Sequence, residues 1–232
     1  MAQTLERPSR VRRLLGLPRA VWRWVRSAPG TYLWLLVLGV TSFVVARMDP
    51  ASLDWFLAAR STNLDQLSSR PVHALVASAL WTEQASWPLY LVLFTVFHAN
   101  AERWLGTVRW FTVAAASHVL ATLVSEGLVA WGIVRGSLQR SMADTVDVGV
   151  SYALAGVVAV LTYRFAGGWR LLYGGGVLLF YSVPLAVSHT FTDLGHFSAV
   201  LIGLCFFRFG RGRPLWDPGP ALRRWWSRRL PG

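Results

Sequence analysis

Long stretches without a single charged residue run through this sequence, and they restrict what the chain can fold into. An α-helix needs roughly 20 apolar residues to cross the hydrocarbon core of a bilayer, which is about 30 Å thick. Six uncharged stretches approach or reach that length: Gly30–Ala46, Gln84–Ala101, Trp110–Ser125, Val148–Tyr163, Leu171–Thr192 and Leu194–Phe207. The pattern predicts an all-α, polytopic membrane protein built as a bundle of six transmembrane helices.

The composition agrees with a membrane domain and argues against a nucleic-acid-binding one. Hydrophobic residues make up 54% of the chain and charged residues only 15%, which is low for a soluble domain. The net charge is +12, and the basic residues are all Arg, gathered mainly at the chain ends and in short loops. That distribution fits anionic lipid headgroups, so the predicted partner of this charge is the lipid bilayer.

The Arg residues also predict how the bundle is oriented, because positively charged loops tend to stay in the cytoplasm. With six spans, 18 of the 23 Arg fall on one side, at both chain ends and in the connections after the second and fourth spans. An odd number of spans would separate the two basic ends. The absence of lysine is typical of a GC-rich bacterial genome. We therefore expect a bacterial inner (plasma) membrane protein with both termini in the cytoplasm.

Three regions follow from this topology. Residues 1–29 form a basic, interfacial N-terminal segment, residues 30–208 the membrane domain, and residues 209–232 a basic cytoplasmic tail. Within the first region, Val11–Arg26 mixes Arg with Leu, Val and Trp, which predicts a helix lying along the membrane surface. The long connection Asp49–Glu83 is too polar to span and predicts short helices at the outer interface.

Two polar residues inside predicted spans carry the candidate chemistry. Polar groups are costly in a bilayer and are functional candidates by default. Ser151 lies about one turn into the fourth span and His196 at the start of the sixth, and both spans run inward from the outer side. At similar depth, an imidazole can take the hydroxyl proton as the serine oxygen attacks a carbonyl. Taken singly, a serine bonded to a carbonyl one turn back and an interface histidine are the commoner explanations.

The residues around this pair predict support for it. Small residues at regular spacing let two membrane helices approach closely. A helix start also presents free N–H groups and the positive end of the helix dipole to a developing oxyanion. The predicted supporting residues are, for the serine motif and oxyanion, Gly149, Val150 and Tyr152, and for helix packing, Gly156, Gly195 and Gly203.

Together these residues resemble the rhomboid family. That family has a six-helix core, a G-x-S-x serine at the head of the fourth helix and an A/G-H histidine in the sixth. Gly149-x-Ser151 and Gly195-His196 stand in those places, and Glu102–Gly106 resembles the family's E-R-x-L-G stretch after the second helix. The segment Val72–Trp81 resembles the family's outer half-helix. The likeness covers roughly residues 30–208.

The sequence departs from the family pattern in several places. Active rhomboids carry H-x-x-x-N early in the second helix, where the Asn helps to bind the oxyanion, and the segment Ser86–Val92 has neither residue. Tyr152 replaces the glycine after the serine, and Ala199 replaces a glycine after the histidine. Ala155 stands where an aromatic residue often packs on the histidine. Losing one oxyanion donor commonly costs about 10²–10³ in rate.

The resemblance implies a rhomboid-like intramembrane serine protease. It would be a serine-type endopeptidase that cuts transmembrane segments of client proteins with a Ser151–His196 dyad. The departures leave a second expectation open, in which a rhomboid-like protein binds or escorts client helices without cutting them. A small-solute transporter fits less well, because no charged residue lies in the middle of a span. We expect no cofactor and no metal, since no Cys, His and carboxylate cluster has ligand spacing.

Four further features have ordinary explanations beside any functional one. His98 and His118 are predicted to pack or to hydrogen-bond between helices. Asp193 has two open interpretations, orienting His196 from the preceding turn or remaining a solvated carboxylate. The run Gly174–Gly176 is expected to soften the fifth helix, which in the rhomboid family is linked to lateral substrate entry.

Overall fold

The computed structural model of the protein describes residues 19–82, 87–148, 150–220 and 225. Within these ranges the chain is helical and contains no β-strand. The helices are α1 (Arg19–Arg26), α2 (Pro29–Val45), α3 (Pro50–Ala58), α4 (Leu64–Ser69), α5 (Pro71–Ser78), α6 (Trp87–Leu93), α7 (Ala99–Leu105), α8 (Thr107–Val134), α9 (Ser151–Val160), α10 (Gly168–Val187) and α11 (Phe191–Cys205). A π-helical turn, Phe94–His98, joins α6 to α7, and 3-10 turns occupy Arg140–Asp144, Leu161–Arg164 and Phe206–Gly210.

One end of the molecule gathers Arg side chains. This Arg-rich end comprises residues 23–30, 100–109, 163–170 and 206–216. Its segments bond to one another, since Arg103 Nε donates to Ser27 Oγ at 2.6 Å and Arg213 Nη2 donates to the Leu105 carbonyl oxygen at 2.8 Å. Helix α1 meets α2 at a bend of 100°, as a helix lying along an interface would. The first part of the predicted interfacial helix, residues 11–18, lies outside the described residues.

The opposite end of the molecule is built from short helices. Helices α3, α4 and α5 occupy the connection after α2, as the sequence predicts, and α5 covers most of the expected outer half-helix. The Thr62 backbone N–H and hydroxyl both donate to the Asp147 carbonyl oxygen at 3.0 Å. These bonds tie the connection after α2 to the loop that leads into α9.

Three helices in the described ranges are long and apolar enough to cross a membrane. They are α8, α10, and α11 with its 3-10 continuation to Gly210. Helices α1 and α2 pass the same test only as one bent pair, which would make four spans. The other predicted spans fall on shorter helices, α6 with α7 and α9. The all-helical, membrane-compatible fold is therefore established, and the count of six spans stays a prediction.

Several predicted span boundaries differ from the ends of the helices, and the largest difference is in the third span. The third span was expected to end at Ser125, yet α8 continues to Val134. The reason is that Glu126 is buried, with 3% of its surface exposed. A carboxyl group that faces the interior of a bundle does not mark the start of a polar loop.

An aromatic cluster packs α2, the π-helical turn and α8 together. The His98 ring stacks on Phe94 at 4.0 Å, and Trp110 Nε1 donates to His98 Nδ1 at 3.1 Å. Trp34 packs against the Phe94, His98 and Trp110 rings in edge-to-face geometry. Such aromatic pairs each contribute about 0.5–1.5 kcal/mol beyond the area that they bury. His98 is thus a packing and interhelical hydrogen-bond residue, as predicted.

The Glu102 carboxylate joins three helices at the Arg-rich end. It is buried in α7 and accepts hydrogen bonds from the N–H groups of Gly30 and Thr31 and from the Thr107 hydroxyl. The first N–H groups of a helix have no partner within it, so this carboxylate caps α2 from a distant helix. Gly106 follows with φ +87 and lets the chain break sharply into α8. The E-R-x-L-G stretch is therefore the joint between α2, α7 and α8.

Helices α9 and α11 meet at two glycines. A Cβ added to Gly203 would lie 2.2 Å from the Gly156 carbonyl oxygen, and a Cβ added to Gly156 would lie 1.9 Å from Ser117 Oγ. No side chain larger than the hydrogen of glycine fits at either position. The approach of α9, α11 and α8 at this point fixes how Ser151 and His196 lie relative to one another.

Candidate functional site

Ser151 is the first residue of α9 and faces a polar cavity of about 260 Å³. The cavity opens at the end opposite the Arg-rich end. Its other lining residues are Thr82, Tyr90, Val146, Asp147, Val148 and Thr192. Because Ser151 opens a helix, its hydroxyl lies beside backbone N–H groups that have no intrahelical acceptor. Hydroxyl, phenol and carboxylate groups together make this a site that water can fill.

His196 lies on the first turns of α11 and is flanked by two tyrosines. Its ring meets the Tyr152 ring edge to face at 5.0 Å, and the Tyr181 ring lies at 6.0 Å. The neighbouring Gly195 makes room for this arrangement, since a Cβ there would lie 2.5 Å from the Tyr152 ring. Thr192, one turn before His196, lines the same cavity as Ser151. The predicted serine and histidine therefore lie at the same end of the molecule.

The direct partner of His196 on α9 is Tyr152 and not Ser151. Among the residues that the structure describes, the Ser151 hydroxyl forms no hydrogen bond with the His196 imidazole. A nucleophile needs its base within hydrogen-bond reach, although such bonds are often loose before substrate binds. In this arrangement no imidazole nitrogen accepts the serine proton.

Asp147 fixes Tyr152 in this position. The Tyr152 hydroxyl donates to Asp147 Oδ2 at 3.0 Å, and the Asp147 backbone N–H donates to Ser61 Oγ at 2.7 Å. The Tyr152 side chain is buried. Sequence reasoning missed Asp147. The signal that could have indicated it is its position as an acidic residue two before Gly149 of the serine motif. Sequence reasoning also missed the buried Glu126, which directly follows the predicted end of the third span.

Asp193 bonds to the start of its own helix. Thr190 Oγ1 and the Thr190 backbone N–H both donate to Asp193 Oδ2, and the Asp193 backbone N–H donates to Thr190 Oγ1. This reciprocal pair is a capping box, which satisfies free donors at the N-terminus of α11. The hydrogen bonds of this carboxylate thus go to a cap and not to the His196 ring.

A second serine–histidine pair is hydrogen-bonded but is a structural tether. Ser78 Oγ lies 3.2 Å from His118 Nε2, and the same nitrogen lies 3.0 Å from the Leu75 carbonyl oxygen. A carbonyl oxygen can only accept, so Nε2 carries the proton and cannot serve as a base for Ser78. The pair fastens α5 to α8, which agrees with the interhelical hydrogen bond predicted for His118.

An apolar cleft runs between α6, α9 and α10 beside the His196 site. It has a volume of about 500 Å³ and reaches Tyr181, the residue next to the His196 ring. Its lining residues are Leu93, Phe97, Leu154, Val158, Leu172, Tyr173, Gly176, Val177, Phe180 and Tyr181. Several of them are strongly exposed, among them Leu172 and Phe180. The cleft is therefore open sideways, where a bilayer would supply lipid or another helix.

Two predicted residues of the serine motif remain, Gly149 and Val150. Gly149 lies outside the described residues. Val150 is fully buried, and its carbonyl oxygen accepts from Leu154 N–H at 2.9 Å. Within the described ranges no group of three or more His, Cys, Asp or Glu side chains is placed to hold a metal ion.

Comparison with known proteins gives one match. A family model for rhomboid-like proteins matches residues 23–215, a range that contains every helix from α2 to α11. No curated protein and no solved structure matches the chain. With its apolar helices, the chain is a multi-pass membrane protein and belongs to the rhomboid-like protein family.

Proposed function

We propose that this rhomboid-like protein binds a transmembrane segment of another membrane protein in the cleft between α6 and α10, without cutting it. The observation that carries the proposal is the cleft itself. It is apolar, open sideways and ends at the tyrosine beside His196. A neighbouring helix in the bilayer can enter such a cleft without exposing backbone groups to lipid, because its own hydrogen bonds stay intact.

The packing of α10 supports sideways entry. Only 11% of the most apolar 18-residue window of α10 is buried, compared with 50% for α8. Pro184 interrupts the backbone hydrogen bonds of α10. A Cβ added to Gly175 or Gly176 would meet nothing within 4 Å, so α10 is not closely packed there. A helix held this weakly can move aside at small cost when a client helix docks.

The contacts around Ser151 are our reason for proposing binding without cleavage. The Tyr152 ring, held by Asp147, occupies the side of His196 that faces α9. Active rhomboids carry an oxyanion-binding Asn early in the second helix, and in this chain Tyr90 lines the cavity from that helix. Among the described residues the His196 imidazole does not accept the serine proton, and the segment Ser86–Val92 has no Asn to bind the oxyanion.

A second candidate function is proteolysis by a Ser151–His196 dyad. The observation that favours it is that Ser151 opens a helix and faces a polar cavity with His196 at the same end. The hydroxyl would attack a client carbonyl, His196 would take its proton and return it to the leaving amine, and water would release the acyl group. That route needs the Ser151 hydroxyl to come within hydrogen-bond reach of a His196 ring nitrogen.

We place the Arg-rich end in the cytoplasm and the Ser151 cavity on the outer side of a bacterial plasma membrane. The support is that 18 of the 23 Arg fall on one side of a six-span topology. Client helices would then be engaged near the outer leaflet.

Photo-crosslinking tests the proposed binding cleft. A benzophenone amino acid at Phe180 would sit on the cleft, and the same group at Leu123 of α8 would face lipid away from it; both positions are exposed. We would reconstitute each variant in phosphatidylcholine vesicles with a fluorescent single-span peptide. Illumination should crosslink the intact, uncut peptide to position 180. The yield of this adduct from position 123 should be at least tenfold lower.

Two neighbouring glycines supply the matched control for this experiment. Gly176 lines the cleft and Gly175 does not, and a Cβ on either meets nothing within 4 Å. Gly176→Trp should abolish the adduct, while Gly175→Trp should leave it unchanged. Equal adducts from positions 180 and 123, or equal effects of the two Trp variants, would rule out the cleft as the binding site.

A further inference from the structure

A cavity lined by arginines lies at the Arg-rich end, between the start of α10 and the chain that follows α11. It has a volume of about 340 Å³. Among the residues that the structure describes, three that line it are basic and none is acidic: Arg170, Arg211 and Arg213. Its other lining residues are Tyr163, Phe207, Gly210, Gly212 and Leu215. The cavity lies at the opposite end of the molecule from Ser151, so neither the proposed binding nor the cutting of clients uses it.

Backbone carbonyl oxygens hold two of these arginine side chains in place. Arg170 Nε donates to the Phe165 carbonyl oxygen at 3.2 Å, and Arg213 Nη2 donates to the Leu105 carbonyl oxygen at 2.8 Å. A guanidinium carries five N–H donors in a fixed planar arrangement. Each of the two side chains is therefore oriented by one bond and keeps most of its donors for a ligand.

The positive charges at this cavity have no acidic partner. Within the described ranges no carboxylate forms an ion pair with any of the three guanidiniums. Two described acids lie in or next to the Arg-rich end, and both are engaged elsewhere. Glu102 caps α2, and Asp217 Oδ1 accepts from the Gly219 N–H at 2.8 Å. Because Arg170 and Arg213 are half-buried, their charges are partly removed from water, and an anion in the cavity would offset that cost.

The cavity also lies at the ends of two helices that are long and apolar enough to cross a membrane. Helix α10 begins at Gly168, and α11 with its continuation ends at Gly210. In a bilayer the ends of such helices lie at the level of the lipid headgroups. Arg170 is in the first turn of α10, where the positive end of the helix dipole adds to its charge. The cavity wall also includes the exposed apolar residues Phe207 and Leu215, which suit the apolar part of a lipid.

We propose that this cavity binds the phosphate group of one anionic phospholipid. Arg170, Arg211 and Arg213 donate to the phosphate oxygens, and the acyl chains leave the cavity past Phe207 and Leu215. The site prefers an anionic headgroup to a zwitterionic one, because a choline ammonium would add a further positive charge beside three guanidiniums. The bound lipid joins the start of α10 to the chain that follows α11.

Native mass spectrometry of the full-length protein tests this site. We would titrate the detergent-solubilised protein with dioleoyl phosphatidylglycerol and, separately, with dioleoyl phosphatidylcholine. The first phosphatidylglycerol should bind about tenfold more tightly than the first phosphatidylcholine, or better. Each Arg near a headgroup contributes about fivefold in affinity, so Arg170→Gln, Arg211→Gln and Arg213→Gln should each weaken the first phosphatidylglycerol by about that factor. Equal affinity for the two lipids would overturn the proposal.

Arg208 supplies the matched control for these variants. It is exposed, as Arg211 is, and lies three residues before it, but it does not line the cavity. Arg208→Gln removes the same charge and should keep the first phosphatidylglycerol at wild-type affinity, with an unchanged circular dichroism spectrum for every variant. Arg170→Lys keeps the charge and should lose less affinity than Arg170→Gln. Equal losses in Arg208→Gln and Arg211→Gln would show that only the total charge matters, which would overturn the site.

Glycerol 3-phosphate distinguishes a lipid site from a site for a soluble phosphate compound. It carries the same phosphate chemistry without acyl chains. Added at the same concentration as phosphatidylglycerol, it should leave the first lipid bound, because it has no part that matches Phe207 and Leu215. Displacement of that lipid by glycerol 3-phosphate would overturn the assignment of the cavity to a phospholipid.

Discussion

Replacing Glu102 with Ala should destabilise the protein more than any other single change at the Arg-rich end. The carboxylate accepts from the N–H groups of Gly30 and Thr31, the Thr31 hydroxyl and the Thr107 hydroxyl, at 2.7–2.9 Å. Removing it leaves these buried donors without an acceptor, and each such group costs about 1–3 kcal/mol. Since water can satisfy some of them, we expect a loss of about 4 kcal/mol in the free energy of unfolding.

Reversible unfolding in mixed micelles would measure this effect. Glu102→Gln keeps the shape and one acceptor oxygen, so it should lose less than the Ala variant. Asp54→Ala, at an exposed position of α3, is the matched control and should unfold like the wild type. A Glu102→Ala protein as stable as the Asp54→Ala protein would show that the carboxylate does not hold α2, α7 and α8 together.

Adding one methyl group to Gly203 should separate α9 from α11. The new Cβ would lie 2.2 Å from the Gly156 carbonyl oxygen, which is backbone and cannot rotate away. Overpacking of this kind usually costs about 1–3 kcal/mol and occasionally more. We expect Gly203→Ala to reach about 3 kcal/mol, because no flexible side chain can absorb the clash. The same unfolding experiment would measure it.

Gly175 provides the control for this substitution. It lies in the middle of α10, and a Cβ there would meet nothing within 4 Å. Gly175→Ala should be neutral or stabilising by up to about 1 kcal/mol, because alanine favours the helix. If both variants unfolded alike, the close approach of α9 and α11 would not be a determinant of the fold.

Much of the fold could be predicted from the sequence. A bilayer requires long apolar helices and biases the side on which Arg residues lie, so both leave a pattern in the sequence. The all-helical class, the short outer helices and the sorting of Arg to one end all follow from such patterns. The third span could not be bounded in this way. Glu126 is charged in the sequence and would end a span, and only the packing of α8 shows that it is buried.

The sequence predicts which site residues lie at the same end of the bundle, but it does not predict which of them are in contact. Spacing places Ser151 and His196 at similar depth, but it does not say which face of α9 meets α11. A turn of α9 by one residue, about 100°, decides whether Ser151 or Tyr152 faces the histidine. That choice depends on the Tyr152–Asp147 hydrogen bond and on the space that Gly195 leaves, which are tertiary contacts.

We predict that Ser151 is not activated by His196 in this protein. Labelling of the vesicle-reconstituted protein with a fluorophosphonate probe tests it most directly, because such probes react with serines whose proton has an acceptor. An unchanged circular dichroism spectrum shows that each labelled variant is folded. We predict wild-type labelling no greater than that of Ser151→Ala. Strong wild-type labelling that disappears in Ser151→Ala and weakens in His196→Ala would contradict the claim and establish a catalytic dyad.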